Sequence, residues 1–583
     1  MQDKPKLERK RLIGLFLFGG LFFLSLIVFS TFPATVGRIY NQTTITSDGI
    51  KIVFDVYDPL GENVPKTAII IGHGVMVNKE FMKLLAIDLA SSGFLVVAFD
   101  FRSHGRSGGD FNFLLENIDL HNIDLVDLAK LLPGDVIARD ICAIKNYLAG
   151  RGDVNMSNLG YIGYSMGGGA GFAQLFEDND FNAMVGLAPV PDFQRTNLTN
   201  PRNLLIVFGK YDEGVPYSGI LKVMENKTGH AVNAAEIESE IAQKSYWEWS
   251  GGSFTAGSAA RLYMDPAGEH LLAAWNFNFI REIKQWMLKA LKNVALPAPA
   301  FTYGPLVTAL FLEVVGGMGV FFLAAGPIIN RFGKKKDNLV IPEKYFIEVP
   351  EKTLIQGIFV KIIIFSFPCM LLIFPLYFAP LIITAFEIMF IFGPSVATLL
   401  YLRKLTNKEL GFRQLYRSLI TGTQTRNILV GLGLGGLFYG ILELSIGQIF
   451  SFMPSIWKWP WVPLYFVFGL FSYANFIMYF QGVLQEKVQR AGRSFWKIGI
   501  QSYLMMVGYS VFILLTPCVI IQNYFILMFF IPMVFLLLAA SFIGSFFYTR
   551  NKDLVIPILT ITLPITIMFV TLSLIINIWV IFL

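Results

Sequence analysis

From about residue 302 to its end the sequence is a succession of eight apolar runs, near 302–329, 354–374, 376–401, 428–453, 462–483, 498–520, 525–547 and 554–583, and one more runs from Leu12 to Phe32. A helix needs about 20 such residues to cross the hydrocarbon of a bilayer. These runs exclude a chain that is soluble throughout. Only 15% of the residues are charged and 54% are hydrophobic, whereas soluble domains carry roughly 25% charged residues. What the runs leave over is a polar stretch from 40 to 293, enough for one domain of ordinary size. The expected organisation is therefore a basic N-terminus and anchor at 1–39, a soluble domain at 40–293, and a C-terminal membrane domain of about eight helices at 294–583.

The formal charge of +6 comes from 47 basic and 41 acidic residues. It is unevenly spread: the polar stretch holds 21 basic and 29 acidic residues, and the remainder 26 and 12. The excess of positive charge lies in short loops between apolar runs, which is how cytoplasmic loops are marked, so nucleic acid is not an expected partner. With the N-terminus inside, alternate crossings place on the inside Arg331, Lys334, Lys335, Lys336, Lys344 and Lys352, then Arg403 to Arg426, then Lys487 to Lys497, and finally Arg550 and Lys552. The opposite loops hold only Lys458, within the aromatic stretch Trp457–Trp461 that suits a membrane interface. The expectation is a multi-pass cell-membrane protein with a cytoplasmic N-terminus and an exported polar domain. Pro33-Ala34-Thr35-Val36-Gly37 is a poor cleavage site, which favours an uncleaved anchor. Glycosylation acceptor patterns at Asn41, Asn155, Asn197 and Asn226 agree with export but add little. Cys142 is the one cysteine of the polar stretch, so no bridge forms within it.

Inside the polar stretch, apolar strands at Thr67–Gly72, Phe94–Asp100, Leu159–Gly163, Ala183–Ala188, Leu204–Gly209 and Arg261–Met264 alternate with helices near Glu80–Ser92, Val136–Leu148, from Met166, and from His270 to Lys289. Continuous apolar strands alternating with helices predict an α/β fold, a doubly wound and mostly parallel sheet, here joined to an all-α transmembrane bundle.

Gly163-Tyr164-Ser165-Met166-Gly167 falls between such a strand and a glycine-rich helix start. A tight strand-to-helix turn with small flanking residues lifts a serine hydroxyl clear of the sheet, and Ser165 is the expected nucleophile. A serine hydroxyl needs a base, itself oriented by a carboxylate. In a fold of this kind the order is serine, acid, histidine. Five histidines are present, and only His230 and His270 follow a suitable acid. His270 comes after the last strand and is the expected base, while His230 reads as part of an insertion. Asp212, beyond the strand Leu204–Gly209, is the expected acid, with Asp192 and Glu213 as the other candidates. The oxyanion donors are expected to be the backbone amides of Met166 and, from the loop His73-Gly74-Val75-Met76, of Val75. No residue pattern points to a cofactor or a metal.

These motifs give the chain from about 45 to 292 a family resemblance. His73-Gly74, the run Asp100–Gly108, Gly163–Gly168, Gly209–Asp212 and Glu269-His270, in that order, resemble the α/β-hydrolase superfamily and its branch of monoacylglycerol lipases, lysophospholipases and serine aminopeptidases. The resemblance implies Ser165, Asp212 and His270 as the triad, Val75 and Met166 as oxyanion donors, and His104 as a residue that braces a turn. One departure is the cap of this branch: only about 15 residues separate Ala183–Ala188 from the next strand, too few for a helical cap. Longer insertions stand at about 110–133, rich in Phe, Leu and Ile, and at about 213–259. The other departure is the membrane region, which resembles no family in particular.

Ionisable residues within the spans are Glu313, Lys361, Glu387 and Glu443, with Gln448, Asn475 and Gln481 as polar companions. Lys361 and Glu387 fall near span ends, which leaves Glu313 and Glu443 as the functional candidates. The expected activity is that of a membrane-tethered serine hydrolase, esterase or lipase-like, acting on a lipid or acyl ester, with membrane lipids around it. The alternatives are an acyltransferase, a peptidase, or a transporter or sensor whose soluble domain only binds a ligand.

Overall fold

The computed structural model describes residues 4–112, 134–212, 214–294, 302–372, 376, 379–421, 424–490, 494–521 and 530–576. Two compact units emerge. The first holds Ser25–Phe311, Ile446–Trp457 and the described residues from Leu574; the second holds the residues up to Leu24, Leu312–Ser445 and Lys458–Ser573.

In the first unit the strands are β1 (Val36–Ile45), β2 (Lys51–Pro59), β3 (Lys66–Gly72), β4 (Leu95–Phe99), β5 (Val154–Tyr164), β6 (Phe181–Leu187), β7 (Leu204–Tyr211), β8 (Tyr246–Glu248) and β9 (Ala260–Glu269). They form one sheet in the order β1-β2-β4-β3-β5-β6-β7-β9-β8. The pairs from β4 to β9 are parallel, and β1–β2, β2–β4 and β8–β9 are antiparallel. The helices of the chain up to this sheet's end are α1 (Lys4–Thr31), α2 (Lys83–Ala90), α3 (Gly134–Arg151), α4 (Met166–Leu175), α5 (Tyr217–Thr228), α6 (Ala234–Lys244) and α7 (Phe277–Lys292).

The central strands are apolar at successive positions because both their faces are covered. Ala68 to Ile71 and Leu95 to Phe99 are all fully buried. Antiparallel β1, with Gln42, Thr43 and Thr44, is an edge strand without that signature. The register aligns strand ends at one level: Gly72 pairs with Phe99 and with Gly163, Gly163 with Gly186, and Leu187 with Val207. Ligand sites of parallel sheets gather at this edge.

The last helix does not open at His270. It begins at Phe277, where the Asn276 side chain accepts from the amides of Asn278 and Phe279, and a short turn at Ala273–Trp275 intervenes. Phe279, Ile283, Trp286 and Met287 then recur at helical spacing on its buried face. Between β6 and β7 the described residues form turns and no helix, as the short connection predicts. The insertion after Asp212 folds into α5, α6 and β8. Most of the other insertion, including Phe113 to Val126, lies outside the described residues.

Among the described residues, nine helices are long and apolar enough to cross a membrane: Glu8–Thr31, Tyr303–Phe332, Glu351–Met370, Ile388–Leu405, Thr425–Leu444, Trp459–Val488, Trp496–Thr516, Val534–Asn551 and Val555–Leu572. Their number and order follow the apolar runs, with two differences. The run 428–453 is α-helical only to Leu444, with a short 3-10 turn at Ile446–Gln448. In the run 554–583 the helix ends at Leu572 and is followed by the non-helical Ser573–Ile576, and the remainder lies outside the described residues. In the second unit Glu313 is fully buried, and Asn475 accepts from the Tyr416 hydroxyl. Lys361 lies in a π-helical stretch, Gly357–Ile362, with its ammonium 5.6 Å from the Tyr401 ring centre. Gln481 is buried in a second such stretch, Phe480–Gln485, and Glu443 is half-buried. The side chain of Glu387 lies outside the described residues.

Candidate active site

Ser165 stands between the end of β5 and the start of α4 with φ 51° and ψ −114°, a conformation that costs a non-glycine residue energy. Its neighbours hold it there. The Ser165 amide donates to the Leu187 carbonyl at 2.9 Å, and its own carbonyl accepts from the amides of Gly168 and Val190, each at 2.9 Å. The turn is so tight that a Cβ at Gly163 would lie 2.3 Å from the Gly167 carbonyl oxygen.

The hydroxyl so presented is 3.0 Å from His270 Nε2. His270 Nδ1 lies 2.9 and 3.0 Å from the two carboxylate oxygens of Asp212. Asp212 also accepts from the Gly214 amide at 3.0 Å. With Nδ1–H donating to the carboxylate, Nε2 is left to accept the serine proton. His270 and Asp212 have side chains only 5% and 1% exposed, which keeps the pair out of competition with water. Each of the three comes from the carboxyl end of a different strand, β5, β7 and β9.

Met166 follows this serine directly, and Val75 lies in the loop after β3. Met166 is the first residue of α4, and the loop after β3 is pressed against the turn: the Gly167 amide donates to the His73 carbonyl at 3.1 Å. Gly74 is what allows the approach, since a Cβ there would meet the Tyr164 ring at 2.8 Å and Ser165 Cβ at 3.1 Å. His73 accepts from the Phe101 amide at Nε2, 3.0 Å, so its proton is on Nδ1, which donates to the Gly74 carbonyl at 2.6 Å.

The run Asp100–Gly108 is a buried brace. Asp100 accepts from the amides of Lys79 and Arg106, and burial pushes its carboxyl up to about 7 against the pull of Lys79. Arg102 is bound to Asp140 at 2.7 Å and to Asp48 at 2.8 Å, while burial raises the Asp140 carboxyl to about 6. His104 is buried in this turn, with Nδ1 2.9 Å from the Arg102 carbonyl. The other candidates are placed elsewhere. His230 is exposed between α5 and α6, Asp192 is paired with Arg195 at 2.9 Å, and Glu213 lies outside the described residues.

Several contributors had no signal in the sequence. The Tyr164 hydroxyl donates to the His270 carbonyl at 3.0 Å, and the Glu269 carboxylate accepts from the amides of Leu271 and Leu272, each at 2.7 Å, so the loop bearing His270 is fastened on both sides. Phe81 stacks on Tyr164 with ring centres 5.5 Å apart and meets Trp275 at 4.6 Å. Apart from Glu269 and its two neighbours, these partners are far apart in sequence, and nothing in local pattern joins them.

Residues 54–244 match the dienelactone hydrolase family. That match takes in β3 to β7 and the serine turn between β5 and α4. The hydrolase domain is 26% identical, over 176 residues, to a monoacylglycerol lipase of Mycolicibacterium smegmatis; the match takes in 30% of this chain and 54% of that relative, so the chain spans about half the length of the curated relative. Among solved structures, an esterase of Pyrococcus furiosus is similar at 17% identity over 44% of this chain and 93% of its own, with a TM-score of 0.31. A dienelactone hydrolase of Anabaena variabilis is similar at 15% identity over 45% of this chain and all (100%) of its own, with a TM-score of 0.30.

Proposed function

We propose that the hydrolase domain cleaves an ester through an acyl-serine intermediate. The observation that carries this reading is the continuous hydrogen-bonded line from Ser165 through His270 to Asp212. Ser165 Oγ attacks the ester carbonyl as its proton passes to His270 Nε2, and Asp212 stabilises the imidazolium that forms. The Val75 and Met166 amides receive the developing oxyanion. His270 returns the proton to the departing alkoxide; water, deprotonated in turn by His270, then releases the acid and restores the serine.

The substrate we infer is a lipid or acyl ester. The likeness to a monoacylglycerol lipase supports it, as does the apolar character of Phe81, Tyr164 and Trp275 beside the nucleophile. Each methylene buried by such a site contributes roughly 0.8 kcal/mol. The specificity constant for p-nitrophenyl octanoate or decanoate is therefore expected to exceed that for the acetate, compared below micelle formation. A constant highest for acetate, or cleavage of peptide amides alone, would remove the lipid reading.

We further propose that the domain works outside the cytoplasm, tethered by the apolar helices. The basic loops carry this assignment. With the native cysteines replaced, Leu198→Cys is expected to react with an impermeant maleimide on intact cells, and Lys404→Cys only after permeabilisation. The reverse pattern would invert the orientation.

A further inference from the structure

Ser165 and His270 are 7% and 4% exposed, although the connection between β6 and β7 supplies no helix to cover them. The compact unit that contains them also contains Ile446–Trp457, a segment more than 150 residues beyond α7 in the sequence. It reads Ile-Gly-Gln-Ile-Phe-Ser-Phe-Met-Pro-Ser-Ile-Trp, with no charge anywhere.

Two contacts fasten this segment to the machinery described above. The Asn78 side-chain amide, in the loop that bears Val75, donates to the Ser451 carbonyl at 2.9 Å in a buried position. The Phe450 ring meets Phe81 edge to face at 5.9 Å, and Phe81 in turn stacks on Tyr164, the residue before the nucleophile. Phe452 backs Phe450 at 5.8 Å and is itself only 5% exposed, as is Ile449 at 6%. Phe450 and Met453 are only half-buried, so each keeps apolar surface not yet covered by protein. Trp457 extends the contact to Gly108, whose Cβ position lies 3.7 Å from the indole nitrogen.

We propose that Ile446–Trp457 takes the place of the missing cap and forms the apolar wall of the acyl-chain site, with Phe450 as the residue that reads chain length. This rests on the acyl-serine reading of the same site. A segment that served only as a strut would be fastened through its backbone and would have no reason to set a partly open aromatic ring against Phe81. A wall for an acyl chain needs such a ring, and it needs to be free of charge.

The test is the ratio of specificity constants for p-nitrophenyl decanoate and acetate in the full-length protein. Labelling by a fluorophosphonate at one per chain reports the integrity of the serine site. In Phe450→Ala the ratio is expected to fall about tenfold, the effect of losing roughly two methylenes' worth of contact, and Phe450→Leu is expected to restore most of it. A ratio within twofold of wild type in both Phe450→Ala and Phe452→Ala, with labelling intact, overturns the wall. If Phe450→Ala does not label, Phe450→Met and Phe450→Trp decide: a shifted chain-length optimum supports the proposal and an unchanged profile overturns it. Wild-type protein that neither labels nor cleaves any ester would sink the acyl-serine reading instead, a result distinct from either outcome for the wall.

Discussion

Ser165→Ala is expected to lower ester turnover by about four orders of magnitude or more and to abolish fluorophosphonate labelling, leaving only what binding and the oxyanion donors supply. The variant should fold, because the turn is held by backbone bonds from Leu187, Gly168 and Val190 and not by the hydroxyl. His270→Ala should match it in turnover, since the two side chains act as one unit 3.0 Å apart. His230→Ala, exposed between α5 and α6, should stay within about twofold of wild type. Turnover in Ser165→Ala near that of wild type would exclude it as nucleophile. Turnover lost in His230→Ala and kept in His270→Ala would move the base.

The largest effect on stability is expected at Lys284→Met. Lys284 on α7 and Asp88 on α2 form an ion pair at 3.0 Å with both side chains fully buried. Asp88 also accepts from the Thr302 amide at 3.0 Å and from its hydroxyl at 2.8 Å, so the carboxylate is committed to its place. Removing the lysine leaves a buried negative charge without its counterion, which costs about 3–5 kcal/mol. For a domain of this size that is a fall of roughly 10 °C or more in the temperature at which labelling is lost. Asp88→Leu combined with Lys284→Met should recover part of the loss, because neither charge then remains buried. A shift of less than about 2 °C in Lys284→Met would show that the pair holds nothing together.

Much of the α/β fold was legible in the sequence because its central strands are buried on both faces and so read as unbroken apolar runs. The candidate site was legible for a different reason. Ser165, Asp212 and His270 each follow a strand directly, and the chemistry demands them in one order, so position along the chain stood in for position in space. β1 was not legible, since an edge strand whose run Asn41 to Thr44 is polar at every position and nowhere fully buried resembles a polar loop. The start of α7 was misplaced because apolar residues continue through the turn at Ala273–Trp275, and only the Asn276 cap marks where helical bonding begins. Ile446 to Met453 reads as the end of the run 428–453 for a more general reason: hydropathy records that a side chain avoids water, and a protein interior satisfies that as well as lipid does. The break is a backbone event at Ser445, with φ −101° and ψ −90°, which composition does not encode.

One pair of bonds sets a schedule for the making of the protein. The Ile575 amide donates to Ser103 Oγ at 2.7 Å, and the Phe111 amide donates to the Ile575 carbonyl at 2.8 Å. Ser103 lies 472 residues upstream of its partner. At about 5–20 residues per second a ribosome needs roughly half a minute or more to cover that interval. Within that time every strand of the sheet and the serine turn are translated, the last of them at Glu269, while the loop at Ser103 still waits for Ile575. The turn at Ser103 therefore cannot close before Ile575 is translated, and a ribosome that stalls ahead of that residue leaves behind a sheet whose turn has never met its partner.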